Sequence, residues 1–180
     1  SSPISLTQKI LARPRLIERI RQQIPSHHAA HMACFNVTNL ERNLAVRLQI
    51  PIYGCDPALF SLGNKSNGRH LFRKCHMPMA DGFEDINTEM EIAEALAALK
   101  IRYPHLNKAV VKMNEGFSGE GNAIFTYDPH LQHQDISPQQ ILQVLPHQLF
   151  IVASSLSYAN FLEKFAAMGG VVEVFLDGGE

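Results

Sequence analysis

Apolar side chains recur at helical spacing through residues 5–24, where polar and basic positions separate them. The pattern predicts a helix with its apolar residues on one face. Pro14 interrupts this segment, and proline suits the first turn of a helix, so we expect a break or a restart there. The apolar positions are Leu11, Leu16, Ile20 and Ile24.

The next segment alternates between extended and helical patterns. Short apolar stretches at 31–36 and 52–54 flank a segment that opens with Thr38 and carries Glu41 three residues later. This spacing is typical of a capping box at the start of a helix, and Pro51 is expected to end that helix. Its predicted apolar face consists of Leu40, Leu44 and Leu48. Strand, helix and strand in this order predict a βαβ unit with a parallel pair of strands.

The middle of the chain contains turn signals on both sides of a long amphipathic helix. A polar, glycine-bounded turn at 63–68 precedes a predicted helical piece at 69–74, and Gly82-Phe83 is interpreted as a turn. A second capping box at 88–91 opens a helix that ends before Pro104. The residues at amphipathic spacing in that helix are Ile92, Ala95, Leu96 and Leu99.

Short apolar runs and capped helices alternate in the last third of the chain. The runs at 109–111 and 123–125 predict two strands joined by a glycine-punctuated loop. Ser137 followed by Pro138 predicts a helix start, with the helix continuing to about Leu145. A helix at 157–168 and a strand at 171–176 complete the series. Strands and helices of this kind predict an α/β fold with α+β character.

The loop between the two central strands combines a lysine with three glycines. Lys112 stands just before it, and Gly116, Gly119 and Gly121 let its backbone approach another group closely. Exposed N–H groups in such a loop, with a nearby ammonium, can bind a phosphate. A β-hairpin with a long tip is the alternative. Lys65 is a second candidate phosphate ligand, because a cation at a helix start is unfavourable unless an anion binds there. The alternative, which these residues alone favour, is an exposed lysine in a polar turn.

Composition is typical of a globular protein with one domain or two small ones. The 180 residues are 46% hydrophobic and 18% charged, and the formal net charge is −1. This charge does not favour binding to nucleic acid or to an anionic membrane. No apolar stretch is long enough to span a bilayer, and no signal peptide precedes the first helix, so we expect a cytoplasmic protein.

Cysteines and histidines do not predict a metal site. The three cysteines are widely spaced and form no C-x-x-C pair, which favours reduced thiols. His27, His28 and His31 lie beside a turn signal, where a solvated loop is the favoured interpretation. Basic residues in the first helical segment have two interpretations, a surface for an acidic partner or, as we favour, a solvated helix face. They are Lys9, Arg13, Arg15, Arg19 and Arg21.

Taken in order, these segments resemble the ATP-grasp superfamily, and within it the pheganomycin-type peptide ligases. The resemblance covers nearly the whole chain, and its most specific part is the segment from Val111 to Ala123. The matching segments are 36–42 with 50–54, 63–69 with 77–78, 111–123, and 173–176 with Glu180.

The resemblance implies a nucleotide site and a role for each matched residue. Lys65 and Lys112, with Glu115 and Gly116, would bind ATP, the lysines through its phosphates. The flexible cover over the phosphates would consist of Ser118, Gly119, Glu120 and Gly121. Adenine would be read by backbone groups near Glu173, Val174 and Leu176, and Glu180 would hold the ribose hydroxyls. For the side chain of Glu173, a solvent-facing strand position is the alternative.

The implied activity is that of a carboxylate–amine ligase. Members of the superfamily phosphorylate a carboxylate with ATP, and an amine then displaces phosphate from the acylphosphate. The partners would be ATP and small-molecule or peptide acids and amines. Magnesium ligands and a catalytic arginine belong to the second subdomain of the family, which we do not find in these 180 residues. We therefore interpret the chain as part of a larger protein or as a naturally incomplete copy, and we expect it to be inactive alone.

Two domains are predicted on this basis. Residues 1–60 would be the C-terminal part of a Rossmann-like pre-ATP-grasp domain. Residues 61–180 would be the first ATP-grasp subdomain, a mainly antiparallel sheet flanked by helices. The alternative to the ligase is a non-catalytic nucleotide-binding or interaction module, since large proteins with IQ motifs carry a similar segment.

Overall fold

The computed structural model describes residues 4–26, 29–116, 119, 121–129 and 136–176. The chain divides into two compact units, residues 1–61 and residues 62–180. Assignment of the first unit to a pre-ATP-grasp domain stays a prediction.

The described part of the first unit contains three α-helices and a two-stranded parallel sheet, and the 3₁₀ helix Pro57–Gly63 begins near its end. Its elements are α1 (Leu6–Leu11), α2 (Pro14–Gln22), β1 (Met32–Ala33), α3 (Asn39–Leu48) and β2 (Ile52–Tyr53). The predicted restart at Pro14 and the parallel pairing of β1 with β2 are both confirmed.

Helix α3 begins as its sequence predicts. The Thr38 side chain accepts a hydrogen bond from the helix backbone, and Glu41 accepts one from the Thr38 N–H at 2.9 Å, which completes the capping box. The helix ends at Gln49 in the left-handed conformation, two residues before Pro51. Its face packs a small core formed by Ile17, Leu44 and Leu48.

The second unit is built on a five-stranded antiparallel sheet with the order β3-β7-β4-β5-β6. Its strands are β3 (Gly82–Ile86), β4 (Lys108–Met113), β5 (Asn122–Thr126), β6 (Leu149–Ile151) and β7 (Gly170–Val174). Its helices are α4 (Lys65–Lys74), α5 (Glu89–Arg102), α6 (Pro138–Gln148) and α7 (Tyr158–Met168). The predicted α+β arrangement, an antiparallel sheet flanked by helices, is confirmed.

One face of the sheet carries the main core. Ala109, Val111 and Met113 alternate along β4 toward this core, and Phe125 joins them from β5. Helices contribute further large side chains to this core, which are Ile92, Leu96, Leu99, Ile141, Leu145, Phe161 and Phe165. The opposite face of β4 and β5 carries none of the side chains of this main core.

Several predicted elements need correction. Gly82 and Phe83, interpreted as a turn, begin strand β3, where a Cβ at Gly82 would lie only 2.2 Å from the carbonyl oxygen of Val172. Helix α4 begins at Lys65 rather than at residue 69, because the Asn64 side chain caps it. Strand β6 was not predicted, because a segment of three residues directly after a helix is too short to show the alternation of apolar and polar residues that identifies a strand.

Candidate functional site

The second face of the sheet brings a lysine and a glutamate together. Lys112 on β4 pairs in register with Val171 on β7, and Val110 pairs with Glu173. Residues directly opposite in an antiparallel pair point to the same face, and so do residues two apart along one strand. Lys112 and Glu173 therefore share the face turned away from the main core.

Glu173 divides its carboxylate between two cations. The Lys112 ammonium donates to Oε2 of Glu173 at 2.6 Å, and the Arg69 guanidinium donates through Nη1 to Oε1 at 2.6 Å. The side chain of Glu173 is only 12% exposed. Of the two interpretations of this side chain, the structure therefore excludes the one that turned it to solvent.

Arg69 connects this pair to strand β3. Its Nε donates to Glu84 Oε2 at 3.0 Å, and its Nη1 also donates to the Ala80 carbonyl at 2.8 Å. The side chain is 6% exposed, so burial of its charge is compensated by two carboxylates and a carbonyl. We call Arg69, Glu84, Lys112 and Glu173 the ion-pair network.

Two members of the network, Arg69 and Glu84, were missed by sequence reasoning. Arg69 lies four residues after Lys65, which places both on one side of a helix, but that spacing shows only once the helix is known to begin at Lys65. Glu84 belongs to the strand that was interpreted as a turn. It also accepts a hydrogen bond from Arg73, which is 51% exposed and contacts neither Lys112 nor Glu173 in the described contacts.

Asn114, two residues after Lys112, holds the start of helix α4. Its carbonyl accepts from the Lys65 backbone N–H at 3.3 Å, and its Oδ1 accepts from the Ser66 N–H at 2.9 Å. Asn64 accepts from the Asn67 N–H at 2.8 Å. These three N–H groups of the first turn are thus already bonded within the protein. Lys65 can therefore interact with an anion through its ammonium group.

The Lys65 ammonium is partly buried, and its Nζ lies 3.5 Å from the Asn114 carbonyl oxygen. Desolvation lowers the pKa of Lys65, and the nearby positive charge of Lys112 lowers it further, against opposing contributions from Glu173 and Glu115. The positive charges of the two lysines therefore oppose each other. An anion bound close to both would relieve that repulsion.

The glycine loop is closed at its base by backbone packing. A Cβ at Gly116 would lie 3.0 Å from the Cα of Gly121, and one at Gly121 would lie 3.2 Å from the Cβ of Met113. Gly119 has φ of +82° and forms the turn that leads into β5. Glu115 is exposed at the loop entrance. Ser118 and Glu120 lie outside the described residues.

One backbone N–H of the segment expected to bind adenine is already hydrogen-bonded within the protein. The Val174 N–H donates to the Asp81 carbonyl at 2.9 Å, so it is occupied by the sheet. Leu176 follows the strand, and its side chain is 71% exposed. Glu180, expected at the ribose, lies outside the described residues.

Beyond the charged groups, the same face of the sheet is apolar toward β6. Val110 on β4 pairs in register with Ile124 on β5, and Ile124 pairs with Phe150 on β6. Val110 and Ile124 are largely covered, whereas Phe150 is 67% exposed. The face therefore runs from cations to an exposed aromatic ring, an arrangement that suits a ligand with an anionic and an apolar end.

The part of the chain that the structure describes offers neither a metal cluster nor a membrane-spanning helix. It contains no group of three or more His, Cys, Asp or Glu that could hold a metal ion. His27 and His28 lie outside it, and His31 packs edge-on against Tyr53. The three cysteines are free thiols, as predicted. None of the helices described is both long enough and apolar enough to cross a membrane.

Three comparisons place the chain among known proteins. A family model described as "IQCH-like, ATP-grasp" matches residues 57–149, slightly more than half of the chain. IQ motif-containing protein H from Danio rerio is 28% identical over 189 residues, which cover 90% of this chain and 18% of that protein. The structure of D-alanyl-alanine synthetase A from Vibrio cholerae is similar with a TM-score of 0.44 at 18% identity, over 75% of this chain and 32% of that one.

Proposed function

Because the chain belongs to the IQCH-like ATP-grasp family, we propose that it is the nucleotide-binding portion of an ATP-dependent carboxylate–amine ligase that acts through an acylphosphate. One observation carries the proposal. Lys65 at the start of α4 places its Nζ 3.5 Å from the carbonyl oxygen of Asn114, two residues after Lys112, and the positive charge of Lys112 lowers the pKa of Lys65. Two ammonium groups so placed, next to a glycine loop, suit a polyphosphate.

The charges around the lysines favour an anionic ligand. Lys65, Lys112, Arg69 and Arg73 provide four cations against the three carboxylates of Glu84, Glu115 and Glu173, which leaves an excess of one positive charge. Lys112 is 31% exposed, so its ammonium is open to a second partner besides Glu173. An ammonium has three donors, and one remains bonded to Glu173 while others bind phosphate oxygens.

The loop and the strand end supply the remaining predicted contacts. Glu115, Gly116, Gly119 and Gly121, together with Ser118 and Glu120, would border the phosphates. Leu176 and Glu180 would border the base and the ribose, and Val174 would act through groups other than its occupied N–H. Ile124 and Phe150 offer apolar area on the same face of the sheet.

Bound ATP would supply the phosphoryl group that activates a carboxylate toward an amine. This chain's residues would bind the phosphates, orient them and exclude water from them. The described residues contain no group of three or more His, Cys, Asp or Glu that could hold a metal ion. The chain spans about a fifth of the length of the curated relative it matches, so the activity of a whole protein is part of the proposal.

Calorimetric titration with Mg·ATP tests the nucleotide site. Lys112→Ala should weaken binding by roughly 1.5–3 kcal/mol, the range for a hydrogen bond to a charged group. Lys108→Ala is the matched control, because Lys108 lies on the same strand and face but at its exposed start. Equal binding by the wild type and Lys112→Ala, or equal weakening by both variants, would contradict the assignment.

A second candidate is a non-catalytic nucleotide-binding or interaction module of a larger protein. It is favoured by the similarity to IQ motif-containing protein H, which extends over 90% of this chain. The two candidates differ in turnover. A full-length protein carrying this chain should release ADP only with both an acid and an amine if it is a ligase, and should bind ATP without such release if it is a module.

A further inference from the structure

Arg69 is the most buried cation of the ion-pair network, and none of the nucleotide contacts proposed above includes it. It lies in the second turn of α4, and its side chain is 6% exposed, against 31% for Lys112. Its Nε bonds Glu84, and its Nη1 is shared between Glu173 and the Ala80 carbonyl. A buried guanidinium with three fixed acceptors has little freedom to move.

Arg69 also determines how Glu173 meets Lys112. Oε1 of Glu173 accepts from Arg69 and Oε2 accepts from Lys112, both at 2.6 Å. The buried Arg69 therefore fixes the orientation of the Glu173 carboxylate through one oxygen, and the other oxygen contacts Lys112. Removing Arg69 would free Oε1, and the carboxylate could then turn both oxygens toward the lysine.

We propose that Arg69 is a positioning residue that acts through Glu173 on Lys112, holding one carboxylate oxygen so that the Lys112 ammonium stays aimed at a polyphosphate. The inference rests on the proposed function for its ligand, but the contact chain from Arg69 to Lys112 does not depend on it. Lysine cannot replace the guanidinium, because one ammonium cannot reproduce the fork that bonds Glu84 and Glu173 together.

The first test is a double-mutant cycle with inorganic tripolyphosphate, which carries the charge of the nucleotide without its base. Arg69→Lys should weaken tripolyphosphate binding roughly tenfold, a size typical of coupling within one ion-pair network. In a Glu173→Gln background the same substitution should change binding less than about twofold. Arg73→Lys is the matched control, because Arg73 bonds Glu84 but not Glu173, and it should leave binding unchanged.

A second measurement needs no ligand. Reductive methylation with ¹³C-formaldehyde keeps each lysine charged and gives it an NMR signal, and the Lys112 signal is assigned by its absence in Lys112→Arg. Arg69→Lys should shift that signal in the wild type and not in the Glu173→Gln background. A shift of equal size in both backgrounds, or no shift in either, would overturn the proposal.

These measurements distinguish failure of the proposed function from failure of the positioning role of Arg69. If the wild type binds neither Mg·ATP nor tripolyphosphate while the Lys112 signal responds to Arg69 through Glu173, the proposed function fails and the positioning role stands. If Arg69→Lys does not fold, Glu173→Asp serves instead, because a carboxylate shortened by one methylene keeps its charge but cannot span both cations. An unchanged Lys112 signal in Glu173→Asp would overturn the proposal.

Discussion

Glu41 in the unit of residues 1–61 and Glu173 in the unit of residues 62–180 are both carboxylates with fixed partners, but those partners lie at different distances along the chain. Glu41 bonds Thr38, three residues before it, to complete the helix cap, and a further hydrogen bond reaches it from Thr7 on α1. Glu173 bonds Arg69 and Lys112, which are 104 and 61 residues away. The first arrangement completes a helix, whereas the second exists only after a helix and two strands have assembled.

The same contrast holds for the cores. Among the described residues, three buried side chains form the cluster of the first unit, whereas twenty form that of the second. A larger core holds a buried charged network more rigidly, because its strands and helices have fewer alternative positions. The unit with the long-range network is thus also the one with the core to support it.

The largest difference between the units is expected from truncation of a core side chain. Phe165 is 1% exposed and stacks on Phe161 with ring centroids 5.9 Å apart. Phe165→Ala should lower the free energy of unfolding of the second unit by about 3–5 kcal/mol. Leu44→Ala in the smaller core should lower the free energy of unfolding of the first unit by about 2 kcal/mol, the low end of the range for Leu→Ala substitutions in cores. Amide hydrogen exchange in α5 and α3 measures each, and a larger loss for Leu44→Ala would reverse the comparison.

Acid should destabilise both units through carboxylates whose pKa is lowered in the folded protein. Burial raises the pKa of Glu41, but hydrogen bonds from Thr38, Thr7 and the backbone outweigh it and lower the pKa to about 2. Since the folded value lies below the unfolded one, this stabilisation is complete above the usual glutamate pKa of about 4.5. It is lost as the pH falls from there to about 2.

The measurement for this prediction is an acid titration of helix content and of hydrogen exchange in α3. Glu41→Gln should flatten the pH dependence of α3 stability in the window from about 4.5 to about 2. Glu84→Gln should act in the same direction in the second unit, because hydrogen bonds from Arg73 and Arg69 outweigh the effect of burial and lower the pKa of Glu84. A pH dependence of α3 that stays intact in Glu41→Gln would assign it to another group.

The smallest expected difference concerns helix caps, where the units should behave alike. Thr38→Ala and Thr88→Ala each remove the threonine of a complete capping box, at α3 and at α5. Each should cost about 1 kcal/mol in the free energy of unfolding, because a cap involves only neighbours in sequence. Denaturant titration followed in the two helices compares them, and a difference of more than about 1 kcal/mol would show that a cap depends on its tertiary setting.

These comparisons also explain which parts of the structure the sequence could predict. Both capping boxes, the helix start at Pro138 and the central strand pair follow from residues within a few positions of one another. Strand β3 does not, because Gly82, Glu84 and Asp85 break the apolar alternation that identifies a strand. Its pairing with β7 is set by contacts some ninety residues away.

In the candidate site, too, the residues that form local patterns could be predicted and those with distant partners could not. Lys65, Lys112 and the glycines were found because a cation beside a small-residue loop is a local pattern. Arg69 was not, because its partners Glu84 and Glu173 lie on strands that sequence alone did not bring together. Likewise, the bonds from Asn114 to the start of α4 join residues 48 and 49 apart in the chain.

The two outer strands of the sheet have a consequence for solubility. A free strand edge is a template on which another chain can add and begin to aggregate. At one edge, β3 changes register between Phe83 and Ile86, and Asp85 there has φ of +60°. At the other edge, β6 is three residues long. An irregular strand and a very short one both make poor templates, so the sheet can stay five strands wide without recruiting a sixth from a neighbouring molecule.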